Sequence, residues 1–142
     1  MATESVFDRI RQVPDLLDFA LQPLLRLALC RLHMYGLAIK LSERALRRWP
    51  QYRAFQLAEL GTTYSAAGDL EHALECLKEA CELEPANASY HLWLSCVYED
   101  HVRLAPAIDH CERFVSMSPD LPESNRTEMG VRIERMRKRL EV

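Results

Sequence analysis

The clearest hydrophobic pattern lies between residues 54 and 87. Leu57, Leu60, Gly61 and Tyr64 recur at spacings of three and four, which places them on one face of a helix. Ala67-Gly68-Asp69 is a turn signal that ends this helix and starts another, running from about Leu70 to Leu83 with Ala73, Leu77 and Ala80 facing inward. Pro85 blocks its continuation. Gly61, Ala73 and Ala80 are small, so two antiparallel helices can approach closely, while Leu57, Leu60, Tyr64 and Leu77 fill the seam.

The pattern returns on both sides. Pro50, Pro85 and Pro119 stand 35 and 34 residues apart, each with an alanine twelve residues upstream, at Ala38, Ala73 and Ala107. A period near 34 residues belongs to stacked helix-turn-helix units, which bury their apolar faces against their neighbours. In the third unit, 88–121, Leu94, Tyr98, Ala107 and Pro119 keep the pattern. Ser95 there replaces the glycine, Phe114 the second small alanine, and Val102-Arg103 the Gly-Asp turn, which predicts a wider helix spacing. Pro106 falls in the first turn of that unit's second helix, where its missing N–H costs nothing. The first unit, 19–50, retains Leu25, Ala38, Ala45 and Pro50 but has lost the Leu-Gly pair and the tyrosine, and Gly36 sits later than Gly68 does in its unit. It reads as a degenerate repeat.

Two flanking segments complete the chain. Val6, Phe7 and Ile10 predict a short N-terminal helix within 4–18, with Thr3 or Ser5 as cap and Pro14 as its end. Met129, Ile133, Met136 and Leu140 recur along a charged helix within 123–142, whose polar face would shield the last repeat from solvent, with Gly130 weakening its start. The expected fold is one all-α domain, a short α-solenoid of about three helix-turn-helix repeats with an N-terminal helix and a C-terminal capping helix.

The repeat resembles the tetratricopeptide family, whose pattern is a large aromatic, Leu-Gly, Tyr, Ala, a bulky residue, Ala and a closing Pro. The middle unit matches at Leu60, Gly61, Tyr64, Gly68, Ala73, Ala80 and Pro85, with Leu57 and Leu77 at the two bulky positions. The resemblance implies a module for protein–protein interaction, with the first helix of each unit lining a concave groove. Opposite the Leu-Gly-Tyr seam, helical geometry selects Ala58, Glu59, Thr62, Ser65 and Ala66 in the middle unit. It selects Leu92, Trp93, Cys96, Glu99 and Asp100 in the third, and Leu24, Leu27 and Arg31 in the first. Trp93 is the one large anchor, or else is packed between units beside Leu94, and Glu59, Glu99 and Asp100 supply the groove's charge or are simply solvated. Glu71, Glu75, Glu79 and Glu82 make an acidic convex row. The comparable face carries no Lys, Asn and Arg cluster of the kind with which heat-shock co-chaperones hold a C-terminal carboxylate. An apolar or basic segment of another protein, a short peptide or a helix, is the expected ligand.

Composition and charge narrow the rest. The chain has 142 residues, 49% apolar and 27% charged, with a net charge of −3. Residues 1–53 carry nine basic and five acidic groups, 54–120 three and twelve, and 121–142 six and four, so the ends are positive and the middle strongly negative. Such asymmetry steers partners, and it allows a homo-oligomer or a structural subunit of a larger assembly as the alternative function. The five cysteines, odd in number and without C-x-x-C spacing, suit a reducing compartment. The start lacks the order of a secretory signal, and Val13–Tyr35 is too interrupted by polar groups to span a membrane, so a cytoplasmic location is expected. His72 and Cys76, four apart, are two potential ligands and not a metal site; His110-Cys111 lacks an orienting third group. The basic residues Arg132, Arg135, Arg137, Lys138 and Arg139 alternate with glutamates and have no aromatic platform for nucleic acid. No catalytic, cofactor or metal residues are assigned, and no enzyme activity is expected.

Overall fold

The computed structural model describes residues 6–141, with side chains from Asp18 onward. Among these residues the chain forms α1 (Val6–Arg31), α2 (Tyr35–Arg48), a 3-10 turn (Pro50–Tyr52), α3 (Arg53–Ala66), α4 (Leu70–Leu83), α5 (Ser89–Asp100), α6 (Leu104–Met117) and α7 (Glu123–Leu140), and no strand. It is an all-α helical repeat. Helices neighbouring in sequence pack together, and the first helices of successive pairs also touch, α1 on α3 and α3 on α5.

Three turns of one design set the pairing. His33 (φ 57°), Gly68 (φ 86°) and Val102 (φ 59°) all adopt the left-handed conformation, at the 35- and 34-residue period of the prolines. After α3 the Gly68 N–H bonds Ser65 O at 2.9 Å and the Asp69 N–H bonds Tyr64 O at 2.9 Å. His33 and Met34 repeat this with Cys30 and Leu29, and Val102 and Arg103 with Glu99 and Tyr98. Each turn is a Schellman stop that satisfies the last helical carbonyls. Only Gly68 fits the conformation freely; at Val102 a β-branched side chain costs about 1 kcal/mol or more. The residue that matches Gly68 in the first unit is therefore His33, while Gly36 lies within α2. Asp69 then caps α4, accepting the His72 N–H at 3.2 Å.

The first helix corrects the expected boundaries. Val6–Arg31 is one helix of 26 residues, so Pro14 does not end a separate N-terminal helix at residue 18. An interior proline forfeits one helical bond at about 3 kcal/mol, which longer-range packing can outweigh. Pro23 is half-buried beside Arg26, Ser42 and Phe55.

The core forms where the small residues allow contact. Ala54, Leu57, Ala58, Ala73, Leu77 and Ala80 of α3 and α4 close on Tyr90, Leu94 and Val97 of α5. A second cluster joins Leu104, Ala107, Ile108 and Cys111 of α6 to Ile133 and Met136 of α7, with Met129 at its margin. Leu140, expected in that stripe, is exposed. A Cβ on Gly61 would stand 2.9 Å from the Ala73 carbonyl oxygen and 2.9 Å from Leu77 Cγ. In the third unit the place of Gly61 is taken by Ser95, whose buried hydroxyl donates to the Ala107 carbonyl at 2.8 Å. The serine thus bonds the carbonyl equivalent to the one a Gly61 side chain would strike.

The close contact at Gly61 is testable by unfolding in urea. Gly61→Ala should lower stability by about 1–2 kcal/mol, because overpacking against backbone exceeds the gain of about 1 kcal/mol in helix propensity. Gly130→Ala, with nothing within 4 Å of the new Cβ, should raise it by about 0.5–1 kcal/mol.

Candidate functional site: the face of the first helices

Aromatic rings run across the first helices. Phe19 on α1 packs on Phe55 of α3 with centroids 6.5 Å apart, and Phe55 packs on Trp93 of α5 at 6.2 Å. Trp49 and Tyr52 close on Phe19 at 5.3 and 4.9 Å, and Tyr90 on Trp93 at 6.0 Å. Trp93 is half-buried, leaning on the core while keeping part of its ring open. Phe55 was not selected from the sequence, although it precedes Glu59 by four residues and Thr62 by seven and so shares their face.

The charges on this face are paired. Glu59 forms an ion pair with Arg26 of α1, the two side chains being only 12% and 15% exposed. Arg26 also donates to Thr62 Oγ1 and Thr63 Oγ1, both at 3.2 Å, while its buried Nε has no partner. Arg26 and Glu59 border a narrow cleft between α1, α2 and α3, with Pro23, Ser42, Phe55 and Gln56 among its walls. At the other end Glu99 accepts from Arg132 of α7 at 2.8 and 2.7 Å, with Arg139 at 4.0 Å, and Arg132 also reaches Cys96 Sγ at 3.3 Å. Ser65 bonds the His101 ring at 3.3 Å. Asp100 is exposed, and among the described residues no ion pair engages it.

Several candidates therefore stand differently from the sequence-based expectation. Ala58 is fully buried in the core between α3 and α5 and lines no groove, because stacking covers that flank of the helix. Glu59 and Glu99 are tied to arginines on neighbouring helices, so they do not supply free negative charge. Ser65 and Leu92 lie on the same covered flank of their helices as Ala58 and Glu99, and both are half-buried. Thr62 and Cys96 are half-buried, Leu27 and Leu24 exposed.

The thiols and histidines have structural roles. Burial raises Cys30, Cys81 and Cys111, and it pushes Cys76 up to about 11, so these four are thiols at neutral pH. His72 binds Asp69 through Nδ1 at 2.7 Å and stacks on Tyr64, rather than sharing a metal with Cys76. Among the described residues no group of three or more His, Cys, Asp and Glu could hold a metal ion, and no helix is long and apolar enough to cross a membrane. His91 and His110 meet Nδ1 to Nδ1 at 3.0 Å, which requires one protonated and one bare Nδ1, and Tyr98 stacks on His110. Burial is the largest cause that lowers both, joined by Arg113 at His91 and by His91 at His110.

Two measurements follow from these pairs. Glu59→Ala leaves Arg26 buried without its counter-ion and should cost about 1–3 kcal/mol in denaturant unfolding, part of which Arg26→Leu in the same chain restores. Because His91 and His110 are lowered on folding, their contribution is intact above the unfolded value near about 6.5 and is lost as pH falls through the folded values. Melting temperature should therefore drop below that pH, and more steeply in the wild type than in His110→Gln; His72, raised by Asp69, has the opposite slope in both proteins.

No curated protein matches the sequence. The family model of the TPR repeat matches residues 61–101, from the Gly61 contact through the Gly68 turn and α4 to the end of α5, and supports the tetratricopeptide resemblance of this helical repeat.

Proposed function

We propose that the chain is a non-enzymatic protein–protein interaction module that takes a short, mainly apolar segment of another protein along the face of its first helices. The half-buried aromatic row Phe19, Phe55 and Trp93 carries this reading, because it offers apolar surface continuous across three helices. Exposed Leu27 extends that surface on α1. A basic ligand is less favoured than an apolar one: of Glu59, Glu99 and Asp100, the first two are already occupied by Arg26 and Arg132, which leaves Asp100 open to a cation. Burying two or three large side chains, at about 1.5–3 kcal/mol each before entropy costs, gives a modest and reversible affinity. The second reading, a subunit of a larger assembly, is favoured by the leucines exposed on α1.

Peptides of about 12 residues selected from a random library test the groove. They should be rich in apolar residues and bind Ala66→Arg/Asp100→Arg at least about tenfold more weakly than wild type. Both positions are exposed, so circular dichroism should be unchanged. Equal binding by this variant, or selection of no apolar peptide, would remove the groove as the site.

A further inference from the structure

The outer edge of α1 corresponds, repeat by repeat, to faces that are covered in α3 and α5. Aligned on the turns at His33, Gly68 and Val102, the positions Leu21, Leu24, Leu25 and Ala28 correspond to Gln56, Glu59, Leu60 and Thr63 in α3, and to Tyr90, Trp93, Leu94 and Val97 in α5. In α5 these residues pack on the preceding helix pair: Tyr90, Leu94 and Val97 join the core of α3 and α4, with Trp93 against it. In α3 they are covered in the same way, Gln56, Leu60 and Thr63 being buried and Glu59 held by Arg26. In α1 no described residue covers them. Leu21 and Leu25 are half-exposed, and Leu24 and Leu32 are 64% and 67% exposed.

A row of cations borders this stripe. Leu37, Lys40, Arg44 and Arg47 recur at three and four residues on the exposed face of α2. Arg48, on the same face, reaches Asp18 at 3.8 Å, and Asp18 is in register with Leu21, Leu25 and Leu32, so the apolar stripe and the cationic row lie side by side. Arg31, Lys40, Arg44 and Arg47 have no ion pair or hydrogen bond among the described residues. Among the described side chains of α1 and α2 the acidic groups are Asp18, already engaged, and Glu43. The corresponding row of α4, Glu75, Glu79 and Glu82, is acidic, so the cations belong to this edge and are not a property of the repeat.

We propose that this edge docks an amphipathic helix of a partner protein, lying where a preceding helix pair would lie, with leucine-type residues on the stripe and carboxylates facing Lys40, Arg44 and Arg47. A second copy fits poorly. A symmetric contact would set the two cationic rows against each other, and a head-to-tail contact would bring this edge to α7, where Arg135, Lys138 and Arg139 are also exposed. Leu24, selected from the sequence for the groove, lies instead on this edge, while the groove's Phe55 and Trp93 stand on α3 and α5, so occupation of the edge does not depend on the groove's.

Fluorescence anisotropy with two labelled helical peptides of about 18 residues tests this, both with leucines at alternating spacings of three and four, one flanked by glutamates and the other by lysines. The glutamate peptide should bind at least about tenfold more tightly than the lysine peptide at low salt, with the preference shrinking at high salt. Leu24→Ser/Leu32→Ser should lose that binding, Lys40→Glu/Arg44→Glu should reverse the preference, and Ala66→Arg/Asp100→Arg should bind as wild type does. All of these side chains are exposed, so the variants should fold, as circular dichroism would check. Equal binding of the two peptides, no binding, or loss of binding in the Ala66→Arg/Asp100→Arg variant would overturn the proposal. So would a dimer in sedimentation that Leu24→Ser/Leu32→Ser dissociates, because the second copy would then be the occupant.

Discussion

The distance between the two helices of a pair, set at one position of the first helix, governs the rest of the molecule. At Gly61 the helices are in backbone contact, with no room for a methyl group beside the Ala73 carbonyl. At Ser95 a hydroxyl bonds the matching carbonyl of Ala107. In the first pair the matching residue, counted from the turn, is Arg26, and its side chain projects into a cleft toward Glu59. One position thus holds a glycine, a serine and an arginine. The middle pair builds the main core, the third pair adds a hydrogen bond across its helices, and the first meets its neighbour through polar groups beside the Phe19–Phe55 contact and leaves its outer leucines uncovered.

The legible parts of the sequence were those fixed by local chemistry. Gly68 and Asp69 announce a turn and a cap because glycine accepts the left-handed conformation and aspartate accepts the first free N–H groups. His33 and Val102 form the same turn without a residue that prefers it. Their conformation is imposed by the helices they join, which a single position does not reveal. The continuity of α1 through Pro14 and Pro23 is of the same kind, since proline's local penalty is visible in the sequence and the packing around Pro23 is not. The face of the first helices was half legible: helical register put Glu59, Thr62, Trp93 and Cys96 on it, but the partners that neutralise Glu59 and Glu99 lie 33 residues away along the chain. Ala58 was misplaced because a face drawn on one isolated helix ignores the helices stacked at its flanks.

Polar and apolar contacts divide the labour between the helix layers. Within a pair and onto the next first helix the contacts are mostly carbon to carbon, as in the cluster of Leu57, Leu77 and Leu94. Between the first helices ionic and hydrogen-bonded contacts, through Arg26, Ser65 and Arg132, join the aromatic row and the buried Ala58. Ionic joints between part-buried groups contribute less than packing and are more exacting in geometry.

Packing between sequence neighbours alone has a kinetic consequence. Among the described residues each helix meets those one or two places away in the chain, so these contacts require closing no long loop. Low contact order of this kind accompanies fast folding, and a linear array opens from its ends inward. The amides of α3 and α4, clamped from both sides, exchange with solvent only when the array as a whole opens. Those of α1 around Leu24 and Leu25, whose side chains no described residue covers, exchange through local opening, and anything that settles there slows them first.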